Sequence, residues 1–302
     1  MEMNLNGGND SMNKIKIATD SACDIPTELE IQYGIRIFPF AITVDDQSYT
    51  ERVDFTPNEF YDVLKNCKKI PFTSQYTHMQ FLEGFEEIYK EGYSDLIYVS
   101  INSKGSNTYN NSLMAREQFY EAHPEAKNTF RIHCLDSRSY CLGYGYPVLN
   151  AAKKAQRGAP VTEILDYLQN WLKCSRIYFA SYSLEFAKKS GRISCAAAFV
   201  GELMGLKPII TFEDGDSKIL DKVRGEKNIV PAIVKLATQN MIPQTHYAII
   251  TGSVKEHGEE LQTEMEKAVG YAPSLVAPAG AAISINAGPD VVAVVLKDKS
   301  KI

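Results

Sequence analysis

From Lys14 onward, short apolar runs alternate with longer stretches of helical periodicity. Runs of strand length fall at Ile15–Ala18, Ile35–Val44, Leu96–Ile101 and Phe130–Leu135. Others fall at Ile177–Ala180, Pro208–Phe212, Tyr247–Thr251 and Val291–Leu296. Several helix starts are legible between them. Thr56-Pro57-Asn58-Glu59 combines a capping Thr, Pro at the first helical position and Glu three residues after the cap. Thr77 to Gln80 repeats the box, and Phe81, Phe85 and Ile88 then share one helical face. Gly92 and Gly158 fit helix ends. Strands alternating with helices predict an α/β fold with a mostly parallel sheet covered on both faces. In such sheets ligands gather beyond the C-terminal ends of the strands, so the loops after strands are read most closely.

A chain of 302 residues has room for two domains. Gln156-Arg157-Gly158-Ala159-Pro160 interrupts two helical patterns and marks the expected division. Residues 13–160 then form an N-terminal α/β domain with a parallel sheet, and 161–302 a mixed α/β C-terminal domain. The polar, Asn-rich residues 1–12 are expected to be a disordered leader. Charge and cysteines narrow the function classes. Net charge is 32 − 37 = −5, and no basic run stands out, which argues against a nucleic-acid partner. The longest uncharged stretch, Tyr271 to Pro289, holds three prolines and two glycines, so it reads as loops and a short strand instead of an integral membrane segment. No secretory signal is visible, and the six cysteines form no CxxC pair, so free thiols in the cytoplasm are expected. The five histidines show no HExxH or HxH spacing, and no metal site is expected.

Several loops carry chemistry. Thr19-Asp20-Ser21-Ala22-Cys23-Asp24-Ile25-Pro26 can cap a helix or simply turn the chain. Asn102-Ser103-Lys104-Gly105-Ser106-Asn107-Thr108-Tyr109 is dense in hydroxyls and amides at a helix start, where unpaired N–H groups suit either a cap or an anion. Ile70 to Thr77 and Leu135 to Ser139 are further hydroxyl-rich segments, and together these loops predict a polar rim at one sheet edge. The P-loop, GxGxxG and GxSxG fingerprints are absent. In the second half, Lys188 to Ser194 is a basic turn before the small, apolar segment Cys195 to Gly201. It reads either as a solvated turn on a tightly packed helix or as an Arg192 clamp above a cavity that small side chains leave open.

Four further groupings act together. They are Thr19 to Pro26 with Ile37-Phe38-Pro39-Phe40, Thr73-Ser74-Gln75, Ser103 to Tyr109 with Asp136-Ser137, and Gly191-Arg192-Ile193-Ser194 with Gly205-Leu206-Lys207-Pro208. In order and spacing they resemble the DegV family of bacterial fatty-acid-binding proteins, from Lys14 to about Leu296. The resemblance implies two α/β domains with a long-chain fatty acid between them, its carboxylate on loops of the first and its tail in a tunnel of the second. It implies no catalytic residue and no cofactor besides the lipid. Partners would be a fatty-acid kinase subunit, to which the carboxylate is presented, and an acyltransferase.

By matched position, the hydroxyls of Thr73 and Ser106 and the Asn107 N–H would hold the carboxylate, with Ser74, Thr108 and Asn286 beside them. Arg192 would supply positive potential directly or through water. A buried carboxylate needs several donors. About 14 buried methylenes would contribute a gross ~11 kcal/mol before ordering costs. Three positions depart from the family pattern. Asn286, in Ile285-Asn286-Ala287-Gly288-Pro289, stands where the family usually has His; it can donate a hydrogen bond but cannot titrate. Asn107 replaces a Gly, and Arg224-Gly225-Glu226-Lys227 is less basic than the family's run. These departures weigh against kinase coupling more than against lipid binding. The alternatives are a lipid-responsive regulatory protein and a small-molecule transferase or hydrolase using the same crevice.

Overall fold

The computed structural model describes residues 14–199 and 205–302. The leader over residues 1–12 lies outside them, as do Val200 and Gly201 at the end of the small-residue segment. In chain order the first half comprises β1 (Ile15–Asp20), α1 (Thr27–Gln32), β2 (Arg36–Phe38), β3 (Ala41–Val44), β4 (Gln47–Thr50), α2 (Pro57–Asn66), β5 (Phe72–Ser74), α3 (His78–Lys90), β6 (Asp95–Ser100), α4 (Thr108–Ala122), β7 (Arg131–Asp136) and α5 (Leu142–Gln156). The second comprises α6 (Val161–Cys174), β8 (Ser175–Ser181), α7 (Glu185–Ser190), α8 (Ser194–Ala197), β9 (Leu206–Glu213), β10 (Asp216–Arg224), α9 (Ile229–Asn240), β11 (Tyr247–Thr251), α10 (Lys255–Val269), β12 (Leu275–Pro278), α11 (Ala281–Ala287) and β13 (Val291–Lys297).

The fold is mixed α/β. An all-parallel sheet has the order β2-β1-β6-β7. Phe81, Phe85 and Phe119 of α3 and α4 pack on one face of it, against Ala18, Leu96 and Tyr98. Ile17, Ile97 and Val99 on the other face meet α5. Every residue of β6 is buried, which is why its sequence shows no alternation. The second sheet is mixed, in the order β10-β9-β8-β13-β11-β12, with β11–β12 its one parallel pair. Tyr178, Ile249, Val292 and Val294 point toward α9 and α10. Ile177, Phe179, Ile210, Ala293 and Val295, on the opposite face, share a core with α5 and the parallel sheet.

Three sequence expectations change. The run Ile35–Val44 is two strands in two sheets, because Pro39 has no N–H for a ladder and the Phe40 N–H donates to Ser21 Oγ at 3.0 Å. β3 instead centres a small antiparallel sheet, β4-β3-β5, whose hairpin turns through Asp45 and Asp46, both at positive φ. The Thr73-Ser74 segment, expected within a hydroxyl-rich loop, is thus an edge strand opposite Ile42 and Ala41. Finally, Tyr271 to Pro289 contains helix α11 as well as a strand. Six of the seven α11 residues are buried, so it carries no polar stripe to reveal a helical period.

Candidate functional site

The loops that follow β6 and β7 face the mixed sheet, and between them lies a cavity of about 520 Å³. Its walls are mainly apolar: Phe40, Ile101, Ile177, Phe179, Phe212, Ile250 and Ile283. One end is polar, where Ser106 and Asn107 of the β6–α4 loop meet Arg192 of the second half; Thr73 and Ser74 of β5, Gln75 after it and Asn286 also line the cavity. That end opens into a cleft of about 420 Å³ that Lys104, Ser194 and Ser217 also line.

The start of α4 shapes the polar end. Ser106 Oγ lies 2.7 Å from Thr108 Oγ1 and accepts the Thr108 N–H at 3.3 Å. The first intrahelical bond runs from the Asn111 N–H to the Asn107 carbonyl, 3.0 Å, so the N–H groups before it belong to the helix terminus. Among the described residues the Asn107 N–H has no acceptor. Asn107 does not cap α4; its side chain accepts from Asn110 Nδ2 at 2.7 Å and contacts Asn111 at 3.3 Å. The terminus of a 15-residue helix therefore faces the cavity with free donors and a positive dipole end.

On the opposite wall, α11 presents Ala282, Ile283, Asn286 and Ala287 along one face. Asn286 Nδ2 donates back to the Ala282 carbonyl at 2.7 Å, which occupies one of its two amide hydrogens. Arg192 is exposed at the mouth, where its Nη1 donates to the Ser190 carbonyl at 2.8 Å. Ser190 Oγ in turn donates to the Asn286 carbonyl at 3.2 Å, so the two second-half residues are joined. Tyr140 closes the mouth with its ring 4.4 Å from that of Phe212. Asn102 Nδ2 donates to its hydroxyl at 2.9 Å, and burial pushes its pKa up to about 12, so it remains a neutral phenol.

Behind this cavity sits a buried acidic network. Asp20 accepts from Tyr144 at 2.5 Å, from the Ile101 N–H at 2.7 Å and from Tyr98 at 3.2 Å. Burial still pushes its pKa up to about 6. Glu51 accepts the Ser21 hydroxyl and, at 2.7 Å, the Ala282 N–H at the start of α11; burial pushes it up to about 7. Asp24 lies against Gly280, and its carboxylate oxygens make no hydrogen bond of good geometry; burial pushes it up to about 8. The network fastens two parts of the cavity wall, Ile101 and α11. No group of His, Cys, Asp or Glu among the described residues has the makings of a metal site.

Residues 14–299 match the family described as "Uncharacterised protein, DegV family". A DegV domain-containing protein of Caldanaerobacter subterraneus is 33% identical over 290 residues, covering 95% of this chain and all of the relative. The chain belongs to the DegV family. Among solved structures, one described as fatty acid binding of a DegV family protein from Thermus thermophilus superposes with a TM-score of 0.81. It is 25% identical and covers 94% of this chain and 99% of its own. DegV from Bacillus subtilis, described as a fatty acid binding protein, gives 0.79 at 26% identity, with 94% and 99% covered.

Of the residues singled out in this DegV chain, Thr73, Ser74, Ser106, Asn107, Arg192 and Asn286 all line the same cavity. Thr108 does not line it; it is fully buried and holds the Ser106 hydroxyl from behind. None of the described residues from Cys195 to Phe199 lines the space below Arg192. α8 is only four residues long, and Ile193, not Cys195 to Ala198, contributes to the wall. The DegV-type loop at Asp136-Ser137 also lies outside: Asp136 accepts from the Ser103 N–H and hydroxyl, at 3.0 and 2.6 Å. Tyr140 and the Asp20–Glu51 network were not anticipated. Their partners lie between 30 and 231 residues away in the chain, beyond any local pattern.

Proposed function

We propose that this protein binds a long-chain fatty acid and carries or presents it, with the carboxylate at the polar end of the cavity and the tail among its apolar walls. One observation carries the reading. An apolar cavity ends in hydroxyls, amides, a helix N-terminus and one arginine, and among the described residues its lining contains no Asp, Glu, His or Lys. Such an end neutralises and orients an anion, and among the described residues the cavity lining sets no carboxylate or imidazole beside the Ser106 or Thr73 hydroxyl to act as general base, as a hydrolase or transferase would need. The descriptions of the Thermus thermophilus and Bacillus subtilis relatives as fatty-acid binders agree with it.

In this reading the Thr73 and Ser106 hydroxyls and the Asn107 N–H donate to the carboxylate, Ser74 lies alongside, Thr108 sets the Ser106 rotamer, and Arg192 and Asn286 close the mouth from the second half. Residues 13–160 and 161–302 then act as two domains that both contribute to each end. Six unpaired cysteines suit a reducing cytoplasm. Handing the carboxylate to a kinase subunit, and the product to an acyltransferase, is the role that this open polar mouth would serve. The first experiment is mass spectrometry of lipid extracted from the purified protein, followed by titration with C14 to C20 acids. A co-purified acid is expected, with Ser106→Ala weakening binding roughly tenfold, the worth of a hydrogen bond to a charged group. Absence of any acyl ligand together with no measurable binding would sink the proposal. Kinase coupling is read separately, as acyl phosphate formed with a cognate kinase and ATP, and Asn286→His is expected to raise it.

A further inference from the structure

Four strands lay a row of side chains across the cavity floor. Phe212 comes from β9, Phe179 from β8, Ala293 from β13 and Ile250 from β11, and all four line the cavity. Ala293 is paired with Phe179 on one side and with Ile250 on the other. Phe179 is opposite Ile210, two residues before Phe212 on the same face, and the two phenyl rings stack at 5.3 Å. Three inter-strand steps make the row roughly 14 Å long. The row has a direction. Phe212 touches Tyr140 at the mouth, where Asn107 and Arg192 are exposed, whereas Ala293 and Ile250 are only 2% and 1% exposed.

One member of the row is small. Ala293 interrupts the run Val291-Val292-Ala293-Val294-Val295 in a strand buried on both faces, where the other four residues of the run are β-branched. Its methyl lies between an aromatic ring and a branched side chain, and the cavity occupies the space that a larger residue would fill. We infer that Ala293 sets how far an acyl chain reaches into this cavity, and is therefore a specificity-determining residue for chain length. Ile250 lies beyond it in the row. The inference rests on the fatty-acid reading above and sharpens it: shorter and longer acids make the same contacts at the polar end and differ at Ala293.

The test is a ladder of saturated C12 to C20 acids, competed against a fluorescent fatty acid on wild-type protein, Ala293→Val, Ala293→Leu and Ile250→Ala. Leu adds three carbons at the notch. Each excluded methylene lowers affinity several-fold, so Ala293→Leu is expected to weaken the longest bound acid by on the order of tenfold or more. The shortest should weaken less than about threefold on the same scale. Ala293→Val is expected to shift the ladder in the same direction by a smaller step, and it keeps the test available if the Leu variant does not fold. Ile250→Ala should move the optimum toward longer acids. Wild-type protein that binds none of the acids overturns the fatty-acid reading and this inference with it. Wild-type binding combined with variants that weaken every acid by one common factor overturns the inference alone.

Discussion

Glu51 joins the first half of the chain to α11 through a buried carboxylate that accepts the Ser21 hydroxyl and the Ala282 N–H. Burial is the leading cause that raises its pKa to about 7, and the same cause raises Asp20 to about 6 and Asp24 to about 8. Each carboxyl binds its proton more tightly in the folded state than in the unfolded chain, where carboxylates titrate near 4. The folded state therefore holds extra protons between about pH 4 and 8. The resulting stabilisation is complete below the unfolded values and is lost progressively as pH rises from about 4 through the folded values of about 6 to 8. We expect the thermal midpoint to fall by several degrees from pH 5 to pH 8. Glu51→Gln, which keeps an acceptor for Ala282 without the charge, should flatten part of that slope; equal slopes in calorimetry of the two proteins would count against the buried-acid account. Nothing in Thr19 to Pro26 alone announces this behaviour. Asp20 and Ser21 look like turn residues, and their partners Ile101, Tyr144 and Glu51 come from distant segments.

At the level of elements, legibility follows how local the determinants are. The boxes at Thr56 and Thr77 form as read: Thr77 Oγ1 accepts the Gln80 N–H at 3.3 Å, and Gln80 Oε1 accepts the Thr77 N–H at 3.0 Å. Both partners lie within one turn, so short-range sequence suffices. Thr77→Ala should destabilise the protein by about 1 kcal/mol in urea titration. Elements defined by their surroundings escape such reading. β4 (Gln47–Thr50) is polar and half exposed and is a strand only because β3 pairs with it. α11 is mostly small and apolar and is packed against α2, α7 and the cavity, and a helix buried nearly all round has no amphipathic period.

For the molecule as a whole, a single hydrophobic core runs from Ile17 and Ile97 of the parallel sheet through α5 to Phe179 and Val295 of the mixed sheet. Trp171, the only tryptophan, is buried in that core with its ring 4.9 Å from Tyr146 of α5. Continuity of this kind predicts one cooperative transition, with Trp171 fluorescence and far-UV circular dichroism coinciding through a urea series. A fatty acid at a hundredfold over its Kd should shift that whole transition by about 2.7 kcal/mol. Two separated transitions would show that the halves unfold independently despite the shared core. The sequence by itself determined the α/β class, the capped helices and the residue types at the polar end, because hydrophobic period, caps and motif spacing are properties of short segments. Only the tertiary structure decided that Thr73, Ser106, Arg192 and Asn286 line one cavity and that Asp136 and Thr108 stand outside it. It also decided that Ala293 lies on the cavity floor. These outcomes depend on strand order and register across the interior, and contacts between segments a hundred or more residues apart leave no periodic trace along the chain.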